Sequence, residues 1–233
     1  DEGSQLAPLA QEPAPRLPSR APQGPHLCDQ QDQPPLQSPS GLIAGGITAK
    51  TKRPAPVAGF FIPRPDMIVR THQTGDCHST AIYSDCETYR YALTREWGAG
   101  PRMMFVMLNP STASELRNDP TVERCERRAR ALGCGAFRVT NLFAFRATDP
   151  RDLKRAAQPI GPANDQALVD GVAWADRILC GWGAHGAHLG RDSNVVGLLQ
   201  DAGAQLWHLG LTLAGAPRHP LYLSYAVQPI RWH

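Results

Sequence analysis

MMFVMLNP, residues 103–110, is six apolar residues in a row that end abruptly in Asn109-Pro110, and the polar stretch STASELRNDPT (111–121) follows. An unbroken apolar run of this length, bounded by a turn, reads as a strand buried on both faces. The turn then stands at the strand's C-terminal end, the edge of an open parallel sheet where ligands bind.

Working outward, STAIYSDCETYRYALTREW (79–97) alternates Tyr89, Tyr91 and Leu93 with polar residues. That pattern predicts a half-buried antiparallel strand or hairpin leading into the sheet. Downstream, Asp119-Pro120 predicts a capped helix start. Val122, Cys125, Ala129 and Leu132 then recur on one helical face until Gly133 and Gly135. FRVTNLFAF (137–145) reads as a second buried strand, and a helix is expected over 163–175, with Asn164 or Asp165 near its start. RILCG (177–181) is a third strand, 192–202 a helix, and QLWHL (205–209) a fourth strand. Strictly alternating strands and helices predict an α/β three-layer sandwich. Its central sheet would be mainly parallel, with about four core strands plus the antiparallel leading strand.

Residues 1–65 hold 13 of the 22 prolines and show almost no apolar periodicity. Such a segment cannot bury enough surface to offset its ordering entropy, so it is expected to be a disordered tail, able to engage a protein partner. It lacks the apolar core of a secretory signal. The remainder, 66–233, is expected to form a single α/β domain. No apolar run reaches the roughly 18 residues of a membrane span, so a cytoplasmic protein is expected.

The net charge of +3 is small. The basic residues cluster, however: RCERRAR (124–130) is followed by Arg138, Arg146, Arg151, Lys154 and Arg155. The cluster reads either as a solvated helix face or as a surface that attracts phosphates. The six cysteines form no CxxC pair. Cys77-His78 with Cys86, or His185 with His188, lacks a standard zinc spacing, so no metal and no cofactor are expected. GxSxG, GxxxxGK[ST], HExxH and a dinucleotide fingerprint are all missing, which excludes serine hydrolases of that type, common NTPases, zincins and nicotinamide enzymes.

In a parallel sheet the loops LNPST (108–112), TNLFAFRATDP (140–150), WGAHG (182–186) and PRHPLYL (217–223) converge on one edge. They and the start of the first helix would bring together Asn109, Ser111, Thr112, Asp119, Asn141, Arg146, Thr148, Asp149, His185, Arg218, His219 and Tyr222. Each also has a plain structural reading: Asn109 shapes a turn, Asp119 and Asp149 cap helices, His219 bonds a loop.

YRYALTREW (89–97), FVMLNPSTA (105–113), NDPTVERC (118–125), NLFAFRATDP (141–150), GPANDQAL (161–168), WGAHG and PRHPLYL together resemble a bacterial family known only as domain of unknown function 1643, over 79–223. Cys180-Gly181 departs from that family's apolar pattern. More remotely, Asn109-Pro110-Ser111, Thr140-Asn141, Gly183 and His219-Pro220 are similar in order to motifs of the uracil-DNA glycosylase superfamily. That resemblance implies roles. Asn109 would position water or ligand through its amide oxygen, and His219 would donate a hydrogen bond to a departing base. Asn141 would read a base edge, Phe143 would stack on the base or pack in the core, and Arg146 and Arg218 would meet phosphates. Ser111, Thr112 and Tyr222 would line the same substrate site. HPLYL in place of His-Pro-Ser departs from the superfamily, as does an amide where its strongest members carry an acid.

The implied function is recognition of a nucleobase or nucleotide, with N-glycosidic bond hydrolysis of the DNA-repair glycosylase kind as the implied reaction. A non-catalytic nucleic-acid or nucleotide-binding module is the alternative.

Overall fold

The apolar run at 103–108 forms the centre of an eight-stranded mixed sheet in the computed structural model, which describes residues 67–232. The expected tail at 1–65 lies outside the described residues. Three strands form an antiparallel meander: β1 (Met67–Thr74), β2 (Cys77–Ser84) and β3 (Arg90–Glu96). Next come β4 (Arg102–Met107), α1 (Pro120–Ala131), β5 (Ala136–Asn141), α2 (Pro150–Arg155) and α3 (Asn164–Trp174). β6 (Arg177–Cys180), α4 (Arg191–Asp201), β7 (Leu206–His208) and β8 (Ile230–Arg231) complete the chain.

The strand order is β1-β2-β3-β5-β4-β6-β7-β8. β5, β4, β6 and β7 are mutually parallel. The meander joins through an antiparallel β3–β5 pairing, and β8 closes the other side antiparallel to β7. The four expected core strands are therefore present, but the sheet is mixed, not mainly parallel. The difference lies at the edges. β1 and β8 are largely exposed edge strands, so they carry no apolar alternation to read.

Successive β4 side chains point to opposite faces. Met103, Phe105 and Met107 pack with Val122, Cys125 and Ala129 of α1. Met104 and Val106 pack with Leu168 of α3 and with Val195 and Leu199 of α4. Helices thus cover both faces of the parallel strands. α1 begins as its sequence requires: Asp119 accepts from the Val122 amide at 2.8 Å and Pro120 occupies the first turn.

β5 ends at Asn141, short of the expected Phe145. Asn164, at the start of α3, donates from Nδ2 to the carbonyls of Asn141 (3.0 Å) and Leu142 (2.9 Å). The buried Arg191 adds a bond to Leu142 O at 2.8 Å. These donors take the carbonyls a continued ladder would need, and Ala144 and Phe145 turn to pair with Ile160 and Pro159. Asn164 therefore anchors a strand end; α3 itself has no side-chain cap.

None of the helices among the described residues is long and apolar enough to cross a membrane.

Candidate functional site

β4 connects through α1 to β5 on one side, while β5 connects back across β4 to β6 on the other. The chain ends leaving β4 and β6 therefore diverge. That divergence opens a crevice at the carboxyl edge of the strands, the usual ligand position in open α/β sheets. A cavity of about 580 Å³ lies there, within the range of small-molecule sites.

Backbone bonds stitch its walls together. The Leu142 amide donates to Met107 O (2.8 Å), Phe143 to Leu108 O (3.0 Å), Ala147 to Pro110 O (3.0 Å) and Gly183 to Pro217 O (2.9 Å). Gly183 sits at φ +71°, where glycine alone is unstrained. Gly181 is needed for a different reason. A Cβ there would stand 2.9 Å from Pro220 Cδ, so only glycine lets the His219 loop close onto the end of β6.

Asn109, Asn141 and His219 all line this cavity. The Asn109 amide nitrogen is occupied, donating to Pro110 O (3.0 Å) and Ala147 O (2.7 Å). Its orientation is thereby fixed, and the amide oxygen is the end left for a ligand or water. Asn141 is 2% exposed and its Oδ1 has no hydrogen-bond partner. A buried acceptor in that condition costs about 1–3 kcal/mol unless something supplies a donor. His219 Nδ1 accepts from the Leu221 amide at 3.3 Å, which selects the tautomer with the proton on Nε2. Burial pushes the His219 pKa below its ordinary value, and the nearby Asp119 carboxylate offsets part of that shift. The ring is therefore neutral at pH 7 and a hydrogen-bond donor through Nε2.

Other expected residues divide. Ser111, Arg218 and Tyr222 line the cavity, Tyr222 being 80% exposed at its rim. Thr148 and His185 join them. Thr112 is exposed and absent from the lining. Phe143 is fully buried among Leu153, Leu168 and Val195, so it packs in the core and does not stack on a ligand. Arg146 turns to the meander, donating to Glu87 O at 3.0 Å and lying 5.3 Å from the Tyr83 ring centroid. Asp149 caps α2 and binds Arg151.

The basic cluster divides: Arg127, Arg130, Arg151, Lys154 and Arg155 are exposed, as the solvated-face reading expects, while Arg124, Arg128, Arg138 and Arg146 are used internally. Arg128 donates to the carbonyls of Val227 (2.8 Å), Ser224 (2.9 Å) and Leu223 (3.4 Å), and Arg124 to Leu223 (2.6 Å). Arg127 and Arg130 pair with Glu123 and Glu126. Arg138 is held by Thr94 and lies 4.3 Å from the Trp174 ring centroid.

Trp182, at the head of the WGAHG loop, also lines the cavity, and so does Arg90, which carries no sequence signal for it. Arg90 arrives through a β-bulge. Ile82 pairs with Ala92 but Tyr83 pairs with Arg90, so one extra β3 residue reverses the facing. Leu93 consequently joins the cluster on the α1 face, while Tyr89 packs against Phe145 and Gly161. Arg90 is 2% exposed, and its Nη1 donates to Ala113 O. Burial lowers its pKa to about 10, so it stays cationic at neutral pH. The only carboxylate on the cavity wall among the described residues, Asp119, is tied to the amides of Val122 (2.8 Å) and Ala113 (3.3 Å). Among the described residues no three His, Cys, Asp or Glu side chains gather as a metal site.

The family described as Protein of unknown function (DUF1643) matches residues 90–221, more than half of the chain. That segment runs from the bulged Arg90 through the His219 loop. No curated protein and no solved structure matches the chain.

Proposed function

We propose that this chain, which belongs to the DUF1643 family, recognises a nucleobase or nucleotide in the cavity at the carboxyl edge of its parallel strands. The observation that carries this reading is the unpartnered, buried Oδ1 of Asn141 on the cavity wall. The fixed Asn109 amide oxygen and the Nε2–H of His219 share that wall. Two acceptors and a donor lining one cavity match the mixed edge of a base, where a missing partner is heavily penalised.

The order Asn109-Pro110, Thr140-Asn141, Gly183, His219-Pro220 supports a uracil-DNA-glycosylase-like arrangement. It favours N-glycosidic bond hydrolysis as the reaction. His219 would donate to the charge developing on the departing base, and Asn109 would hold the attacking water. An amide takes no proton and Asp119 is engaged, so stabilisation of the leaving base would supply most of the rate. A non-catalytic binding module would use the same contacts without turnover. Residues 1–65 would act separately, through a protein partner.

The test is twofold. Nucleobases, nucleosides and nucleotides are titrated into the full chain, and saturable binding of at least one class is expected; none binding would remove the reading. DNA carrying uracil, hypoxanthine or mismatches is then assayed for released base. Binding without release leaves the module and removes the glycosylase.

A further inference from the structure

Two arginines, Arg90 and Arg218, line the cavity, and neither has a carboxylate within ion-pair distance. Arg90 is buried in the wall, with Nε unpartnered and only the Ala113 carbonyl as an acceptor. Burial is the main penalty on its charge; Tyr83 and Asp119 offset part of it, and Arg146 and Arg95 add to it. Arg218 stands exposed at the rim, in the loop that carries His219. Thr121, in the first turn of α1, also lines the cavity, where the helix end favours negative charge. Against these stands Asp119, whose oxygens are used by backbone amides. A buried cation with no carboxylate in direct contact is costly, and an anionic ligand relieves that cost.

We infer that the ligand is a mononucleotide whose phosphate monoester lies against Arg90 and Arg218, the base being held by Asn141 and Asn109. This rests on the base-recognition reading above and adds the charged group to it. A free mononucleotide fits better than a polynucleotide. A polyanion needs a run of unpaired cations along its backbone. Here Arg127, Arg130, Arg151, Arg155 and Arg191 pair with carboxylates, and Arg124 and Arg128 grip carbonyls.

The test is calorimetry on the full chain with four probes. These are a series of nucleosides, their monophosphates, inorganic phosphate, and a short single-stranded oligonucleotide. The preferred monophosphate should bind roughly 10- to 100-fold tighter than its nucleoside, the worth of one or two charge-assisted contacts. Inorganic phosphate should compete with it. Arg218→Gln, an exposed change that leaves the core untouched, should cut the monophosphate-to-nucleoside ratio severalfold. Equal affinity for nucleoside and monophosphate would overturn the phosphate subsite while leaving base recognition standing. Tighter oligonucleotide binding with a steep salt dependence would overturn the mononucleotide assignment. Monophosphates binding equally whatever their base would uphold the subsite and remove base recognition. If no probe binds, both readings fall.

Discussion

Replacing Asn141 with leucine should separate stability from binding. In the folded protein the Asn141 Oδ1 is buried without a donor, whereas the residue's backbone carbonyl is the atom that Asn164 anchors. Asn141→Leu removes the unpaired acceptor and leaves the anchor untouched. The new side chain lies beside Met107, its parallel neighbour, and near Val139 on the wall that both residues line. An unpaired buried acceptor costs about 1–3 kcal/mol, and part of that gain is lost to imperfect fit of the branched side chain. A net stabilisation of about 1 kcal/mol is expected, raising Tm by roughly 2–4 °C for a domain of this size. Affinity for the preferred nucleotide should fall about 10- to 100-fold, because a ligand donor loses its acceptor. Urea denaturation and calorimetry on the same preparation measure both. A loss of 2 kcal/mol or more in stability would refute the reasoning, since Asn141 would then be serving the fold. Unchanged affinity would refute it from the other side.

Three further outcomes follow from the same geometry. Arg128→Ala should destabilise the protein by about 3 kcal/mol in urea melts, because it frees the carbonyls of Leu223, Ser224 and Val227. Arg128→Lys should not restore it, as one ammonium cannot match the planar fork. The His219 ring should titrate in NMR with a midpoint below 6.5, burial being the main cause. Its stabilising contribution is present above that value and lost as pH falls through the lowered folded-state pKa. A midpoint at or above 6.5 would contradict this placement. Gly181→Ala puts a methyl 2.9 Å from Pro220 Cδ, so the His219 loop must shift. A stability loss of about 1–3 kcal/mol with weakened binding is expected, and an unaffected affinity would show that the loop does not shape the site.

What could be read in the sequence depended on how locally each feature is determined. β4 is buried on both faces and α1 begins at an Asp-Pro cap, so nearest-neighbour chemistry suffices for both. The convergence of Asn109, Asn141 and His219 followed from sheet topology alone, since all three sit just beyond or at the end of parallel strands or in the loop after the last. Arg90 was illegible because a bulge changes its face, and no residue type announces a bulge there. Arg124 and Arg128 of α1 were misread because their acceptors are backbone carbonyls nearly a hundred residues away, which carry no sequence signature. Phe143 was given two roles by resemblance, stacking or core packing, and its burial among Leu153, Leu168 and Val195 decides for the core; the strand itself stops early because Asn164 and Arg191 take its carbonyls. The mixed sheet was missed because its edge strands are short or exposed, and alternation shows only where one face is buried.

The central claim is that Asn109, Asn141 and His219 form one ligand-binding wall. Its most direct test follows the side-chain amides of Asn109 and Asn141 and the imidazole of His219 by NMR while a panel of nucleoside monophosphates is titrated into the full chain. All three should shift together, with one saturation curve for the preferred nucleotide. Shifts confined to other residues, or three signals that saturate independently, would contradict the account.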